Sequence, residues 1–273
     1  MKKRTFWIWV LISLLVLSTP ACSFNFNLGS DGLPGRKVRG SGNVINEDRS
    51  VSEFNKVDKS GRGNLIIELG DEETLRIEAE DNLIEYIETH VSNHTLEISI
   101  RADIDMEPTE EIRYYLTVKS LEAITVSGFG TVSIPALEAD RFSVDITSFG
   151  GVMIGDLETS SLSVDINSFG GVNIENLKAE RLSVNISGAG NLVIHGGRVD
   201  KQEVNISSLG DYEASELASD DADVHLSNLG SATVRVRDHL RIEISSKGAV
   251  HYYGDPEVDA NVSGPGEVKQ AGK

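Results

Sequence analysis

The chain has 273 residues, 39% of them hydrophobic but only 6% aromatic, with 26 glycines and 6 prolines. That composition supports a folded body but not a large aromatic-rich core. The net charge is −18; the first 21 residues carry Lys2, Lys3 and Arg4 and no acid, so the remainder carries −21. Such a surface repels phosphate backbones and anionic headgroups, which argues against a nucleic-acid partner and leaves any membrane attachment to a tail.

The tail is legible at the N-terminus. Lys2-Lys3-Arg4 forms a basic region, and Phe6 to Leu17 is an apolar run broken only by Ser13. That run has 12 residues, whereas a membrane span needs about 20, so residues 1–21 read as a secretory signal peptide. Cys22, the single cysteine, has no thiol partner within the chain. Its place just after the apolar run resembles a bacterial lipobox, in which the cysteine is lipidated and anchors the protein to the membrane. Thr19 stands where that motif usually has Leu, and Pro20 is atypical. Ordinary cleavage after Ala21 and an uncleaved anchor are the alternatives, and all three place the protein outside the cytoplasm. Residues 22–40, rich in Gly, Asn and Ser and without periodicity, read as a flexible tether.

Residues 41–125 read as irregular β coils that form an N-terminal cap. GSGNVI and SGRGNLIIEL contain Gly-centred turns, and residues 75–79, 95–100 and 112–118 alternate as strands do. Asp81 to Ile87 suits one short helical turn. His90 and His94, four apart in HVSNH, lie in a strand-and-turn context without a third ligand and read as a surface turn, not a metal pair.

From residue 126 to 270 the chain repeats. VDITSFGGVMI at 144–154 recurs as VDINSFGGVNI at 164–174, with nine of eleven letters identical. The turn glycines are Gly130, Gly150, Gly170, Gly190, Gly210, Gly230, Gly248 and Gly266, spaced by 20 five times and then by 18 twice. Short strands of period 2 flank each glycine. Phe142, Val144 and Ile146 share one face, as do Val152 and Ile154, with Leu157 following; Ser143, Asp145 and Met153 point the other way. A unit with two short strands and a corner cannot bury its own apolar face, and stacking identical units does. The expected fold is therefore all-β: a parallel β-helix, or β-solenoid, with about 20-residue coils, continuous over residues 41–270. An antiparallel sandwich of hairpins would not hold so strict a register.

GSGNVI at Gly40–Ile45, SVSEFNKVDKSGRGNLII at Ser50–Ile67, DNL at Asp81–Leu83, the serial SGxG-like turns and YYGDP at Tyr252–Pro256 together resemble a known family, the "putative auto-transporter adhesin, head GIN domain" of bacterial exported proteins. The resemblance spans roughly residues 40–270. It implies a β-helical fold, a cell-envelope location, often with a lipoprotein signal, and an adhesive role; it brings no catalytic residues. Ser148, Ser168, Ser208, Asn228 and Ser246 replace the first glycine of the SGxG turn in this chain.

Two columns are candidate ligand-facing features. Asp145 and Asp165 stack in an outward column that continues as Asn185, Asn205, His225 and Glu243. The pair can offer oxygen ligands to Ca²⁺; equally, it is a solvated polar column with an Asn185–Asn205 amide ladder. Two carboxylates about 4.8 Å apart in water repel by only about 0.9 kcal/mol, so no metal or cofactor is required. Phe129, Phe149 and Phe169 each precede a turn glycine and should stack on adjacent coils, with Ala189, Leu209 and Leu229 continuing the column. They form either an exposed aromatic strip suited to sugar rings or a covered corner stack, and the drift from Phe to Ala to Leu has the composition of packing. No catalytic motif stands out. The expected function is a non-catalytic, lipid-anchored surface adhesin that binds a glycan or surface protein. A structural or envelope-stress-linked protein without a specific ligand, and a β-helix polysaccharide-active enzyme, are the alternatives.

Overall fold

A computed structural model describes residues 35–273. The signal peptide, Cys22 and the first part of the tether lie outside the described residues. The end of the tether is structured. Strand β1 (Arg36–Arg39) pairs in parallel with a later strand at Ile104–Glu107, so the folded body begins within the segment read as tether.

The N-terminal region runs through β2 (Val44–Arg49), β3 (Lys56–Lys59), β4 (Asn64–Leu69) and β5 (Thr74–Glu80). A single 3-10 turn at Ile84–Tyr86 then leads to β6 (Ile87–Ser92), β7 (Thr95–Ile100), β8 (Ile104–Glu107), β9 (Arg113–Val118) and β10 (Ala123–Val126). The regular stack follows as β11 (Thr131–Ile146), β12 (Gly151–Ile166), β13 (Gly171–Ile186), β14 (Asn191–Ile194), β15 (Gly197–Ile206), β16 (Asp211–Leu226), β17 (Ser231–Ile244), β18 (Ala249–Tyr253), β19 (Glu257–Val262) and β20 (Glu267–Gly272).

Within the stack every pairing is parallel, and successive coils meet at an offset of 20: Val132 faces Val152, which faces Val172, and Val144 faces Val164, which faces Val184. The core consists of these columns. Val144, Ile146, Val152, Ile154 and Leu157 are all buried. Each coil has three straight runs, one more than the alternation of the sequence suggests. In β11 the ladder skips Pro135 and Asp140, and consecutive outward residues, Pro135-Ala136 and Asp140-Arg141, break the in–out alternation. Those two slips are corners. The short run between them, centred on buried Leu137, closes the third side.

One stretch of the core is polar. Tyr212 takes the slot that Val132, Val152 and Val172 fill in other coils, and neighbouring Ala214, Ala222 and Ala232 leave room for its ring. Its hydroxyl donates to Gln202 Oε1 at 2.7 Å, Gln202 Nε2 donates to Ser219 Oγ at 2.8 Å, and Ser219 Oγ donates to the Arg235 carbonyl at 2.9 Å. Every buried polar atom of that chain has a partner, as a low-dielectric interior requires.

The cap is where chain order and stack order part. The coil made by β3 and β4 lies between the coil made by β7 and β9 and the one made by β10 and β11. The chain lays down the second coil, returns to lay the first beneath it, and then climbs past both to β10. Antiparallel strands close the exposed end: β6 against β7, β5 against β9, and β2 against β5. Pairing these edges removes a template for aggregation. Glu80 fastens the cap. Its buried carboxylate accepts from the Gly42 N–H at 2.7 Å, the Thr109 N–H at 2.9 Å and the Thr109 hydroxyl at 2.5 Å. Burial pushes the Glu80 carboxyl up, and these hydrogen bonds outweigh it, so the net displacement is downward. The same carboxylate fills the space where a side chain at residue 40 would stand, which gives Gly40 of the GSGNVI motif its reason.

Candidate functional site

The site begins at the corner turns. At Gly170 and Gly190 a Cβ would collide with the turn carbonyl of the coil below, and at Gly150 with the Val126 side chain. Close approach, not a left-handed backbone, demands glycine at these corners; Gly130, at φ +102°, is the exception. The hydroxyls of Ser148 and Ser168 donate to turn carbonyls of the preceding coil, at Gly128 and Ser148. The inside of the corner is thus full, and the residue before the glycine is turned outward.

That residue is phenylalanine on three successive coils. Phe129, Phe149 and Phe169 are 51%, 67% and 69% exposed, so the packing suggested by the column's composition is not what the rings do. They stack on one another instead. Phe129 and Phe149 have centroids 6.0 Å apart and planes 3° from parallel; Phe149 and Phe169, 5.4 Å and 5°. Near-parallel rings at these centroid separations are offset rather than face to face, and their exposure shows that much of each ring stays open to solvent. Ala189, exposed, and then Leu209 and Leu229, also exposed, extend the column.

The coil swap adds a residue that the sequence order conceals. Lys59 pairs with Val126 and Leu65 with Val132, which places Arg62 in the same column as Phe129. Its guanidinium lies over the Phe129 ring, 5.2 Å from the centroid. The column therefore starts on a cation, and by register Lys247 follows Leu229 before the column ends at Pro265. No acid interrupts it, in a chain of net charge −18.

Beside the ladder lies a groove of about 340 Å³. Phe149 and Phe169 form one wall and Met153 and Asn173 the other; the floor is backbone at Gly150, Gly151, Gly170 and Gly171. The second glycine of each pair is not demanded by backbone conformation, since neither Gly151 nor Gly171 has a positive φ. Thr131, Asn191, Asp211 and Ser231 occupy the same column in other coils. Glycine at just these two positions leaves the groove floor without side chains of its own; Thr131 bounds one end, and at the other the Asn191 carboxamide reaches over Gly171, 2.7 Å from where a Cβ would stand. The doubled glycine of SFGGV was visible in the sequence; reading its column against Thr131 and Asn191 is what gives it meaning.

The acidic column lies on the strand before the turn. Asn185 Nδ2 donates to Asp165 Oδ1 at 3.0 Å, and Asn205 Nδ2 donates to Asn185 Oδ1 at 3.3 Å, so the amide ladder is present. Burial and then the neighbouring Asp165 push the Asp145 carboxyl up. Among the described residues no group of three or more His, Cys, Asp or Glu side chains is placed to hold a metal ion. His90 lies on β6, and His94 shares with Asn93 a tight hairpin turn at positive φ.

With the ladder and its repeat in place, residues 53–256 match the family model described as "Putative auto-transporter adhesin, head GIN domain". The chain belongs to this family. Among solved structures, the head GIN solenoid is similar to one named a putative adhesin from Parabacteroides distasonis, with a TM-score of 0.81 at 23% identity, covering 85% of this chain and 99% of that one. A second, named a putative adhesin from Parabacteroides merdae, gives 0.77 at 21%, covering 85% and 98%. A third, named a putative lipid binding protein from Parabacteroides distasonis, gives 0.77 at 21%, covering 86% and 100%. Likeness at that identity speaks for the fold. No curated protein matches the chain.

Proposed function

We propose that this head GIN solenoid is a non-catalytic adhesion module, held at the cell envelope through lipidated Cys22, that binds a glycan or surface protein along its Phe129–Phe149–Phe169 face. The observation that carries the reading is the exposure of three stacked rings where the fold does not need them: Ala189 holds the same turn without a ring. Burying one such side chain against a partner is worth about 1.5–3 kcal/mol, so a ladder of three supplies useful affinity without any reaction chemistry. The family name and the neighbours named as adhesins support a surface-associated, binding role.

The test is adhesion. Wild type should bind at least one component of a glycan and matrix-protein array, and the Phe149→Ala, Phe169→Ala double variant should lose ten-fold or more while its melting temperature stays within a few degrees. Retention of binding by a folded double variant, or no binding by wild type, sinks the reading. The anchor is tested separately: Cys22→Ala should move the protein from the detergent phase to the aqueous phase, and persistence in the detergent phase contradicts lipidation.

A further inference from the structure

The groove beside Phe149 and Phe169 and the Arg62 cation over Phe129 lie on one column. Together they select a ligand class. We propose that the site takes a short saccharide whose neutral rings lie in the groove beside Phe169 and Phe149 and whose terminal sugar bears a single carboxylate, paired with Arg62. The proposal rests on the adhesive reading of this face and narrows it.

The lining sets the first half. Phe149, Phe169 and Met153 offer apolar surface, while Thr131 and Asn173 offer a hydroxyl and an amide; no lining residue is charged. A sugar ring matches that mixture, because its C–H face packs on an aromatic ring while its hydroxyls satisfy polar edges. An acyl chain would strip Thr131 and Asn173 of water and return no hydrogen bond. The length is bounded by Thr131 and Asn191, three coil steps apart, or about 14 Å between backbones at roughly 4.8 Å per step, and the two bounding side chains take part of that span. That admits about two rings.

Charge sets the second half. From Phe149 the column continues 6.0 Å to Phe129, and Arg62 lies 5.2 Å beyond, within reach of one more sugar. Arg62 is exposed, and among the described residues no carboxylate pairs with it. Glu107, whose field it touches, is already held by Lys37 at 2.6 Å. A guanidinium with its face on an aromatic ring keeps its N–H edges free for bidentate contact with a carboxylate. The ligand should carry one acid and not many. At physiological salt, screening over about 8 Å lets Arg62 dominate its immediate surroundings, but a polyanion would extend over a protein of net charge −18.

Full-length protein is titrated by calorimetry with lactose, a neutral disaccharide, and with sialyllactose, which adds one carboxylate-bearing sugar. Sialyllactose should bind five-fold or more tighter, with an advantage that shrinks as salt is raised. Arg62→Gln should erase that advantage and leave lactose binding in place. Gly151→Thr, which puts the residue of coil position 131 into the groove floor, should weaken both sugars ten-fold while the protein stays folded. Equal affinity of the two sugars, indifference to Arg62→Gln, or indifference to Gly151→Thr overturns the proposal. So does preferential binding to phosphatidylglycerol vesicles, which would assign the groove to lipid. If both sugars fail to bind while array adhesion is still lost in the phenylalanine double variant, this inference falls and the adhesive reading stands. If the double variant still adheres, the adhesive reading itself falls.

Discussion

Lys59 shows how a single residue can carry a cost that the rest of the stack does not. It occupies the core slot that Val126 and Ile146 fill in the next two coils, and it is fully buried. Its Nζ donates to the carbonyls of Gly61 at 3.0 Å and Phe129 at 2.7 Å, which ties two turns of the aromatic column together. Burial pushes the ammonium down to about 8, against an ordinary 10.5. Between those two pH values the folded protein holds fewer protons at this site than the unfolded chain, so stability rises with pH across that window. Below it, the full penalty of the buried charge remains. At about 1.4 kcal/mol per pH unit of displacement, the contribution is on the order of 3 kcal/mol. Lys59→Met removes the charge but leaves the Phe129 carbonyl without this donor, a loss of about 1–2 kcal/mol, while the Gly61 carbonyl keeps the Phe129 N–H at 3.2 Å. The variant should therefore be more stable than wild type at pH 7 by roughly 1–2 kcal/mol, and less stable at pH 10.5. Urea denaturation of both proteins at pH 7, 9 and 10.5 measures this difference, in which the other titrating groups cancel. A difference that does not change with pH would show that Lys59 is not desolvated in the folded protein.

At the scale of the elements, the sequence speaks clearly where a column has a distinctive residue and poorly where it does not. The Gly150, Gly170 and Gly190 series announces one corner per coil because the coil below excludes any Cβ there, through the Val126 side chain at Gly150 and a turn carbonyl at Gly170 and Gly190. The other two corners, at residues 135 and 140 of β11, point outward twice in succession but carry no residue type that recurs from coil to coil; Pro135, Gly155 and Glu175 share the first of them. A doublet such as Asp140-Arg141 does not stand out against an acidic, polar exterior, so the third side of the coil was not visible. The cap was hidden for a different reason. Strand β3 finds its partners at residues 95–98 and 123–126, and nothing local to Lys56–Lys59 says that a coil written later will slide beneath it. That swap is also what brings Arg62 to Phe129 across 66 intervening residues. Exposure of the phenylalanines was undecidable from composition, because Phe, Ala and Leu describe a packed column as well as an exposed one. The Ser148 hydroxyl and the corner glycine decide it, by filling the inside of the turn first.

For the molecule as a whole, equal columns imply that coils are interchangeable. Each coil contacts its two neighbours, so stability should approach a sum of coil and interface contributions. The cleanest test removes one coil and preserves the register. Excision of residues 151–170 joins Gly150 to Gly171 and lays β13 directly on β11. Val132 then meets Val172, Ile134 meets Ile174, Leu137 meets Leu177 and Val144 meets Val184, the same apolar types that face one another across the native interfaces. Globular stability of about 0.05–0.15 kcal/mol per residue makes one coil worth roughly 1–3 kcal/mol. In a chain of this size that is a fall in melting temperature of roughly 2–12 °C. The shortened protein should keep its β-sheet circular dichroism and melt in one transition. Excision of residues 151–160 alone joins Gly150 to Ser161 and deletes two of the three runs of a coil, so the following columns lose their partners and no folded protein is expected. Equal damage from both excisions would mean that the cap and the stack fold as one indivisible unit, and that the twenty-residue period describes the sequence without describing the energetics.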